Sequence, residues 1–409
     1  MKQKIGIIWV DDNTSNGGFR HVNHGLECIS SDPDKIRQVN LRNLDAQRIY
    51  ITNAKPHVFS KMGLERFPNI KSSKFLGVML STVAVELDLP NDIQAKLPVF
   101  YTLFQMLAEK LQDDYGIDLA TNDFTILKTL HEKILPENQK QRPLLGMNIS
   151  LELERAIGQS MQKIQANSSR RVKGVQAVCS ARFPRAPYAL SLLNFVFPAS
   201  NIYKESDTFK DVEIGTTESG LLPNTERVIS ELIALSKTKC GFIHINQTST
   251  VEKYNHHHPL GQTVQHSEIR NWACIPEVID LLNYSTIKLG VMFVTDGQRM
   301  PIAPAIPSSS DVSFMSYVNG LVNEIVWTSL GYSDKNDICP PPLSVYMRAY
   351  DRIMCRIKAK SFIDEQFSIC GYSTGVLRFF TEKSNPEYTE ALKLKILEQD
   401  LIPQLSIVK

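Results

Sequence analysis

The sequence predicts an α/β protein, with a mixed α+β arrangement as its variant: at least one partly parallel sheet with crossover helices, plus a helical segment around residues 95–166. Three observations predict it. Short apolar runs stop at polar turns, as buried strands do; apolar residues recur every four positions after Pro90; and helical and strand-like patterns alternate between residues 225 and 295.

In chain order, Lys4 to Val10 is an apolar run that ends in Asp-Asp-Asn-Thr-Ser-Asn-Gly-Gly and so predicts a strand stopping at a turn. Further strands are expected at Arg48 to Thr52 and Phe75 to Leu80. Val99, Leu103, Leu107 and Leu111, with Phe100 and Phe104 beside them, form a wide helical stripe that Gly116 ends. Asp123 to Leu135 is a second helix closed by Pro136, and a third follows Ser150 with Leu153, Ile157, Met161 and Ile164 inward. Gly174 to Cys179 is strand-like. A helix over Thr225 to Lys237 precedes a strand at Gly241 to Asn246. A helix near Pro276 to Asn283 precedes another at Lys288 to Thr295, a spacing that predicts parallel strands joined by crossovers. Pro301 to Ser310 has the composition of an exposed loop, and Glu387 to Asp400 is a last helix, with Leu392, Leu394, Ile396 and Leu397 available for burial. The chain is expected to divide into an N-terminal strand-and-helix region, 1–166, and a mixed α/β region, 167–409.

Composition narrows the function classes. With 409 residues, 43% hydrophobic and 22% charged, the chain can bury a substantial core, and its net charge of +2 excludes an overall basic coat for nucleic acid or membranes. The six residues Ile5 to Val10 are too short for a secretory apolar region, and no uncharged apolar stretch reaches the roughly 18–20 residues of a membrane span, so an intracellular, cytoplasmic protein is expected. Seven scattered cysteines without a C-x-x-C pair read as reduced, mostly buried thiols.

Candidate sites are local. Asp11 and Asp12 follow one strand and Asp296 another; if those strands were neighbours, the carboxylates could hold Mg²⁺ or Mn²⁺ for phosphoryl transfer, whereas isolated strand-end aspartates simply make turns. His256, His257 and His258, followed by His266, are weak transition-metal candidates, because adjacent histidines point in different directions; a polar surface loop is the simpler reading. His244 reads as a hydrogen-bonded residue on the strand face opposite Ile243 and Ile245. Gly371-Tyr372-Ser373-Thr374-Gly375 matches a nucleophile-elbow pattern, but apolar strand residues follow it and no histidine does, so it reads as a β-turn.

Two basic stretches remain. One runs from Lys163 to Arg185 and includes Arg170, Arg171, Lys173, Arg182 and Arg185, with Phe183 and Tyr188 placed to stack on bases. The other puts Arg348, Arg352 and Arg356 at four-residue spacing, a possible helical face for phosphates or an acidic protein partner, or an internal salt-bridge network. The usual phosphate-cradling glycine motifs are absent. The function expected is therefore a non-catalytic binding or assembly protein that recruits protein partners, with a viral or mobile-element origin left open. The alternative is a metal-dependent nuclease using Asp11, Asp12 and Asp296, with nucleic acid as partner and Mg²⁺ or Mn²⁺ as cofactor.

Overall fold

The computed structural model describes residues 4–11, 18–22, 26–27, 44–45, 47–52, 54, 59–60, 63–72, 83, 86–87, 89, 93–119, 123–161, 176–250, 262–263, 266–269, 271–300, 314–332, 339–367, 369–382 and 386–407. Two compact units result: Met1–Ile134 with Ile306–Ser329, and Leu135–Ala305 with Leu330–Lys409. The described residues 135–161, grouped by the sequence with the N-terminal region, cluster with the second unit. The expected loop at Pro301 to Ser310 and the expected strand at Phe75 to Leu80 lie outside the described residues.

The first unit holds β1 (Lys4–Asp11), β2 (Gly18–Val22), β3 (Leu26–Glu27), β4 (Arg48–Thr52) and β5 (Ile70–Ser72), in the spatial order β3-β2-β1-β4-β5. β1 pairs antiparallel with β2 but parallel with β4, and β4 is parallel to β5, so this is a partly parallel sheet of the predicted kind. Its apolar residues Ile8, Tyr50, Leu64 and Ile70 form a small core. Helix α1 (Ile93–Tyr115) buries the stripe read from the sequence: Phe100, Leu103, Phe104, Leu107 and Leu111 are fully inaccessible, and its Gln105 side chain accepts from the Ile5 amide at 3.0 Å. Helix α2 (Asp123–Ile134) follows.

The second unit begins with α3 (Glu137–Lys140), the hairpin of β6 (Leu144–Leu145) and β7 (Asn148–Ile149), and α4 (Leu151–Ser160). Ser150 caps α4, its hydroxyl accepting from the Leu153 amide. Then come β8 (Gln176–Arg182), α5 (Arg185–Leu193), β9 (Val196–Pro198), β10 (Ile202–Ser206), β11 (Glu213–Thr217), β12 (Gly220–Leu221), α6 (Thr225–Ser236) and β13 (Lys239–Thr250). After β14 (Gln262–Thr263) and β15 (His266–Ile269), β16 (Trp272–Cys274) leads through α7 (Ile275–Leu281) into β17 (Ser285–Arg299), fifteen residues long. Helix α8 (Phe314–Leu330) belongs almost wholly to the first unit. The chain finishes with α9 (Pro342–Asp364), β18 (Ile369–Ser373), β19 (Val376–Glu382), α10 (Pro386–Glu398) and β20 (Ile402–Ile407).

β17 is the spine of a nine-stranded sheet, paired antiparallel with β9, β10, β11 and β13. The elements between 225 and 295 stand where the sequence puts them, but β13 and β17 are antiparallel, against the expectation of a direct parallel crossover. The reason is the three-residue strand β16. It returns antiparallel along β13 before α7 begins, so α7 crosses between β16 and β17, two strands that are parallel to each other with β13 between them. Val228 and Leu232 of α6 and Val278 and Leu281 of α7 cover Ile243, Ile245, Ile287 and Leu289. Phe242, on the opposite face by strand alternation, meets the Tyr346 ring of α9 edge-on at 5.9 Å.

A second, wholly antiparallel sheet has the order β18-β19-β8-β20 and packs against Cys355, Ala359 and Phe362 of α9 and Leu392 and Ile396 of α10. In α10 the other two expected core residues, Leu394 and Leu397, face solvent, because they sit on the opposite side of the turn from Leu392 and Ile396. The Gly-x-Ser-x-Gly segment is the turn the sequence suggests. Ser373 pairs with Val376, and the two loop residues, Thr374 and Gly375, both have left-handed backbones, with φ of 55° and 66°. That is the geometry of a type I′ hairpin, which favours Asn at the first position over a β-branched residue. Thr374→Asn should therefore raise stability by about 0.5–1 kcal/mol, read as an increased urea midpoint; an unchanged or lower midpoint would count against the turn assignment.

Candidate functional site

The strand-end carboxylates are not brought together by strand pairing. Asp11 closes β1, opposite Gly18, in the sheet of the first unit; Asp296 lies in the second unit, in a different sheet. Asp12 is outside the described residues. Nor does β17 end at Asp296: the strand continues to Arg299, and Asp296 pairs across it with Lys239, whose ammonium holds the carboxyl below its ordinary range. Among the described residues, no group of three or more His, Cys, Asp or Glu side chains could hold a metal. His256, His257 and His258 fall outside the described residues, and of His266 only its place in β15 is described.

The arginine stripe does lie along one helix, α9, but it faces inward, which corrects its reading as a surface for phosphates. Arg352 and Arg356 are 5% and 6% exposed. Arg352 Nε donates to Glu277 at 2.8 Å, Arg356 pairs with Asp280, and Arg348 Nε donates to the Gly331 carbonyl. Burial lowers the Arg348 pKa; it acts to lower that of Arg352 too, but the charge and hydrogen bond of Glu277, with Cys274 and Asp351 nearby, leave Arg352 raised. Four-residue spacing on α9 meets three-residue spacing on α7, and the cations are consumed inside the fold.

The described part of the first basic stretch behaves similarly. Arg185 is buried and Arg182 half-buried, while Phe183 and Tyr188 stack on each other at 4.4 Å instead of presenting faces to bases. The Tyr188 hydroxyl donates to Asp351, and burial pushes its pKa far up. Arg170, Arg171 and Lys173 are outside the described residues. The described cysteines are free thiols, four of them buried and Cys339 half-buried; burial pushes Cys179 up to about 11.

A cleft of about 350 Å³ opens elsewhere, lined by Leu151, Glu152 and Arg155 of α4, His244 of β13, and Asn271 and Trp272 at the start of β16. Helical periodicity builds its first wall. Leu153, Ala156 and Ile157 are fully buried, and Glu154, also buried, is held below the ordinary carboxylate range by its hydrogen bond to Arg142, so Leu151, Glu152 and Arg155 point outward. Strand alternation builds the second: Ile243 and Ile245 go into the core, leaving His244 half-buried on the other face, as the sequence suggests. There its ring meets the buried Trp272 edge-on at 4.9 Å, and Nδ1 lies 2.6 Å from Asn246 Oδ1. Gly290 lies beneath, where a Cβ would come within 2.8 Å of that same Nδ1. Arg155 makes no ion pair among the described residues, unlike Arg352 and Arg356.

Beside the cleft, Met147, Ile149 and Leu151 are 85%, 54% and 78% exposed, within five residues that run from the β6–β7 turn into α4. β7 is an edge strand. Sequence reasoning treated the α4 stripe only by its inward side and so passed over Arg155; its outward position follows from the same periodicity, whereas its meeting with His244 and Trp272 has no local signal.

No family model matches the sequence, and no curated protein matches it. Among solved structures, the chain is similar to Phi29 DNA polymerase in an orthorhombic crystal form, at 10% identity and a TM-score of 0.44, covering 92% of this chain and 80% of that one. It is also similar to the same polymerase complexed with primer-template DNA, at 11% identity and a TM-score of 0.43, with the same coverage. Likeness at that level assigns neither fold nor function. No helix of the described residues is long and apolar enough to cross a membrane.

Proposed function

We propose that this chain is a non-catalytic binding or assembly protein that recruits a polypeptide partner through the β6–β7 hairpin and the start of α4. The observation that supports it is the run of solvent-facing Met147, Ile149 and Leu151, which passes from the β6–β7 turn through the edge strand β7 into the start of α4. Single exposed apolar residues are ordinary, but large ones gathered along an edge strand are what partner surfaces present, since they bury apolar area and the edge offers backbone groups for pairing. Burying three such side chains on association is worth several kcal/mol before the costs of ordering.

The test compares wild type with a Met147→Ser, Leu151→Ser variant, both purified from the native host. The expected result is a stoichiometric protein partner that the variant loses, while the unfolding free energy of the variant in urea stays within about 0.5 kcal/mol of wild type, as for exposed positions generally. Equal recovery of the partner by both proteins would remove the patch from the proposal. The nuclease alternative is decided in parallel with single-stranded and duplex substrates in Mg²⁺, Mn²⁺ and chelator: metal-dependent cleavage abolished by Asp11→Ala and by Asp296→Ala would replace the binding reading.

A further inference from the structure

We infer that the cleft between α4 and the β13–β16 pair binds a ligand carrying a carboxylate and an N–H donor on the same carbon, the chemistry of an α-amino acid, supplied either free or as the C-terminal residue of a polypeptide.

The argument starts from the tautomer of His244. Asn246 Nδ2 donates to the Leu289 carbonyl, which fixes the amide so that Oδ1 is the atom turned to His244. An amide oxygen only accepts, so His244 Nδ1 carries the proton. In the neutral ring Nε2 is then an acceptor, and it has no hydrogen-bond partner among the described residues. The ring cannot easily swing away: Trp272 stands at its edge and Gly290 lies under it, with no side chain because one would strike Nδ1 and Asn246 Oδ1.

The cleft thus offers the acceptors His244 Nε2 and the exposed Glu152 carboxylate, the Asn271 amide, which can accept or donate, and one cation without an ion pair among the described residues, Arg155. A guanidinium matches a carboxylate through two parallel N–H donors. The acceptors call for an N–H beside that carboxylate. Leu151 at the rim, 78% exposed, supplies apolar surface for a side chain, and about 350 Å³ is enough room for one residue. Competing ligands fit less well. A phosphate would set its dianion against Glu152 and a ring lone pair. A divalent cation would find one carboxylate, one imidazole and the Asn271 amide oxygen, with the Arg155 charge beside them to repel it.

This inference does not rest on the partner-docking reading: a free amino acid would satisfy it with no partner, and a polypeptide terminus would join the two. The test is calorimetric titration of the full chain with leucine, N-acetyl-leucine and leucinamide, and with inorganic phosphate and a single-stranded oligonucleotide as competing probes. At least one of the two carboxylates should bind, leucinamide should bind at least tenfold more weakly, and Arg155→Gln should cause a similar loss. Gly290→Ala, by displacing His244, should weaken binding too, and the ¹⁵N signal of His244 Nε2 should move on titration while Nδ1 keeps its proton. N-acetyl-leucine binding above leucine assigns a polypeptide terminus; the reverse order assigns a free amino acid. Leucinamide binding as well as leucine, an unaffected Arg155→Gln variant, tighter binding of inorganic phosphate or a single-stranded oligonucleotide, or no heat from any probe at millimolar concentration each overturns the inference. Met147→Ser, which leaves the cleft intact, should not change these titrations even if it abolishes partner docking.

Discussion

Asp351→Ala should remove about 3–5 kcal/mol from the stability of the second unit, since it strands several buried donors at once. Asp351 is 2% exposed on α9, and its carboxylate accepts from the Thr374 amide at 2.7 Å, the Gly375 amide at 2.8 Å and the Tyr188 hydroxyl at 2.6 Å. Two of these donors are the backbone of the type I′ turn, so one side chain fixes the hairpin against the middle of a long helix. Burial pushes the Tyr188 phenol well above its ordinary pKa, so it remains a donor at neutral pH. Removing the acceptor leaves each buried donor to bear its own desolvation, about 1–3 kcal/mol apiece before relaxation. Asp351→Asn keeps one oxygen but turns an NH₂ toward an N–H, and should cost less; Tyr188→Phe removes a single donor and should cost about 1 kcal/mol. The order Ala, then Asn, then Tyr188→Phe is read from urea unfolding in a Trp9→Phe, Trp327→Phe background, where Trp272 is the only tryptophan and reports the second unit. A loss under 1 kcal/mol for Asp351→Ala would mean that the turn is held by something other than this carboxylate.

The helices were legible because their evidence is local. The stripe of Phe100, Leu103, Phe104, Leu107 and Leu111 fixes both the helix and its buried face with no knowledge of the rest of the chain. Strand direction is not local. Gly241 to Asn246 and Lys288 to Thr295 read correctly as strands, yet their antiparallel pairing is set by Trp272–Cys274, a three-residue strand too short to announce itself. Charge is the clearest case of the same limit. Arg348, Arg352 and Arg356 show their spacing in the sequence but not their sign of burial, because the acids that neutralise two of them, Glu277 and Asp280, lie on a different helix more than seventy residues earlier. Arg155, on the outward face of α4, reads in the sequence as an ordinary solvent-facing charge; only the arrival of β13 and β16 makes it part of one wall of a cleft.

Arg352→Met should be as damaging as the loss of Asp351, for the opposite electrostatic reason: it abandons a buried anion. Arg352 and Glu277 are 5% and 4% exposed, joined at 2.8 Å, and removing one partner of such a pair costs about 3–5 kcal/mol because the remaining charge is left without compensation. Replacing both, as Arg352→Met with Glu277→Leu, removes the abandoned charge and should recover about 2 kcal/mol relative to Arg352→Met alone. Recovery should be incomplete, and the reason is geometric. Arg352 Nη2 also donates to the Ser160 carbonyl at the end of α4, and Glu277 Oε2 accepts from the Cys274 amide at the start of α7, so the double variant unties two helix ends that an apolar pair cannot satisfy. The pair therefore couples α9 to both the crossover helix and the helix that carries Arg155. If the double variant is no more stable than Arg352→Met, the cost lies in those helix-end bonds and not in the stranded charge. If it matches wild type, the helix-end bonds contribute little, and the inward-facing arginines serve only to neutralise the acids they meet.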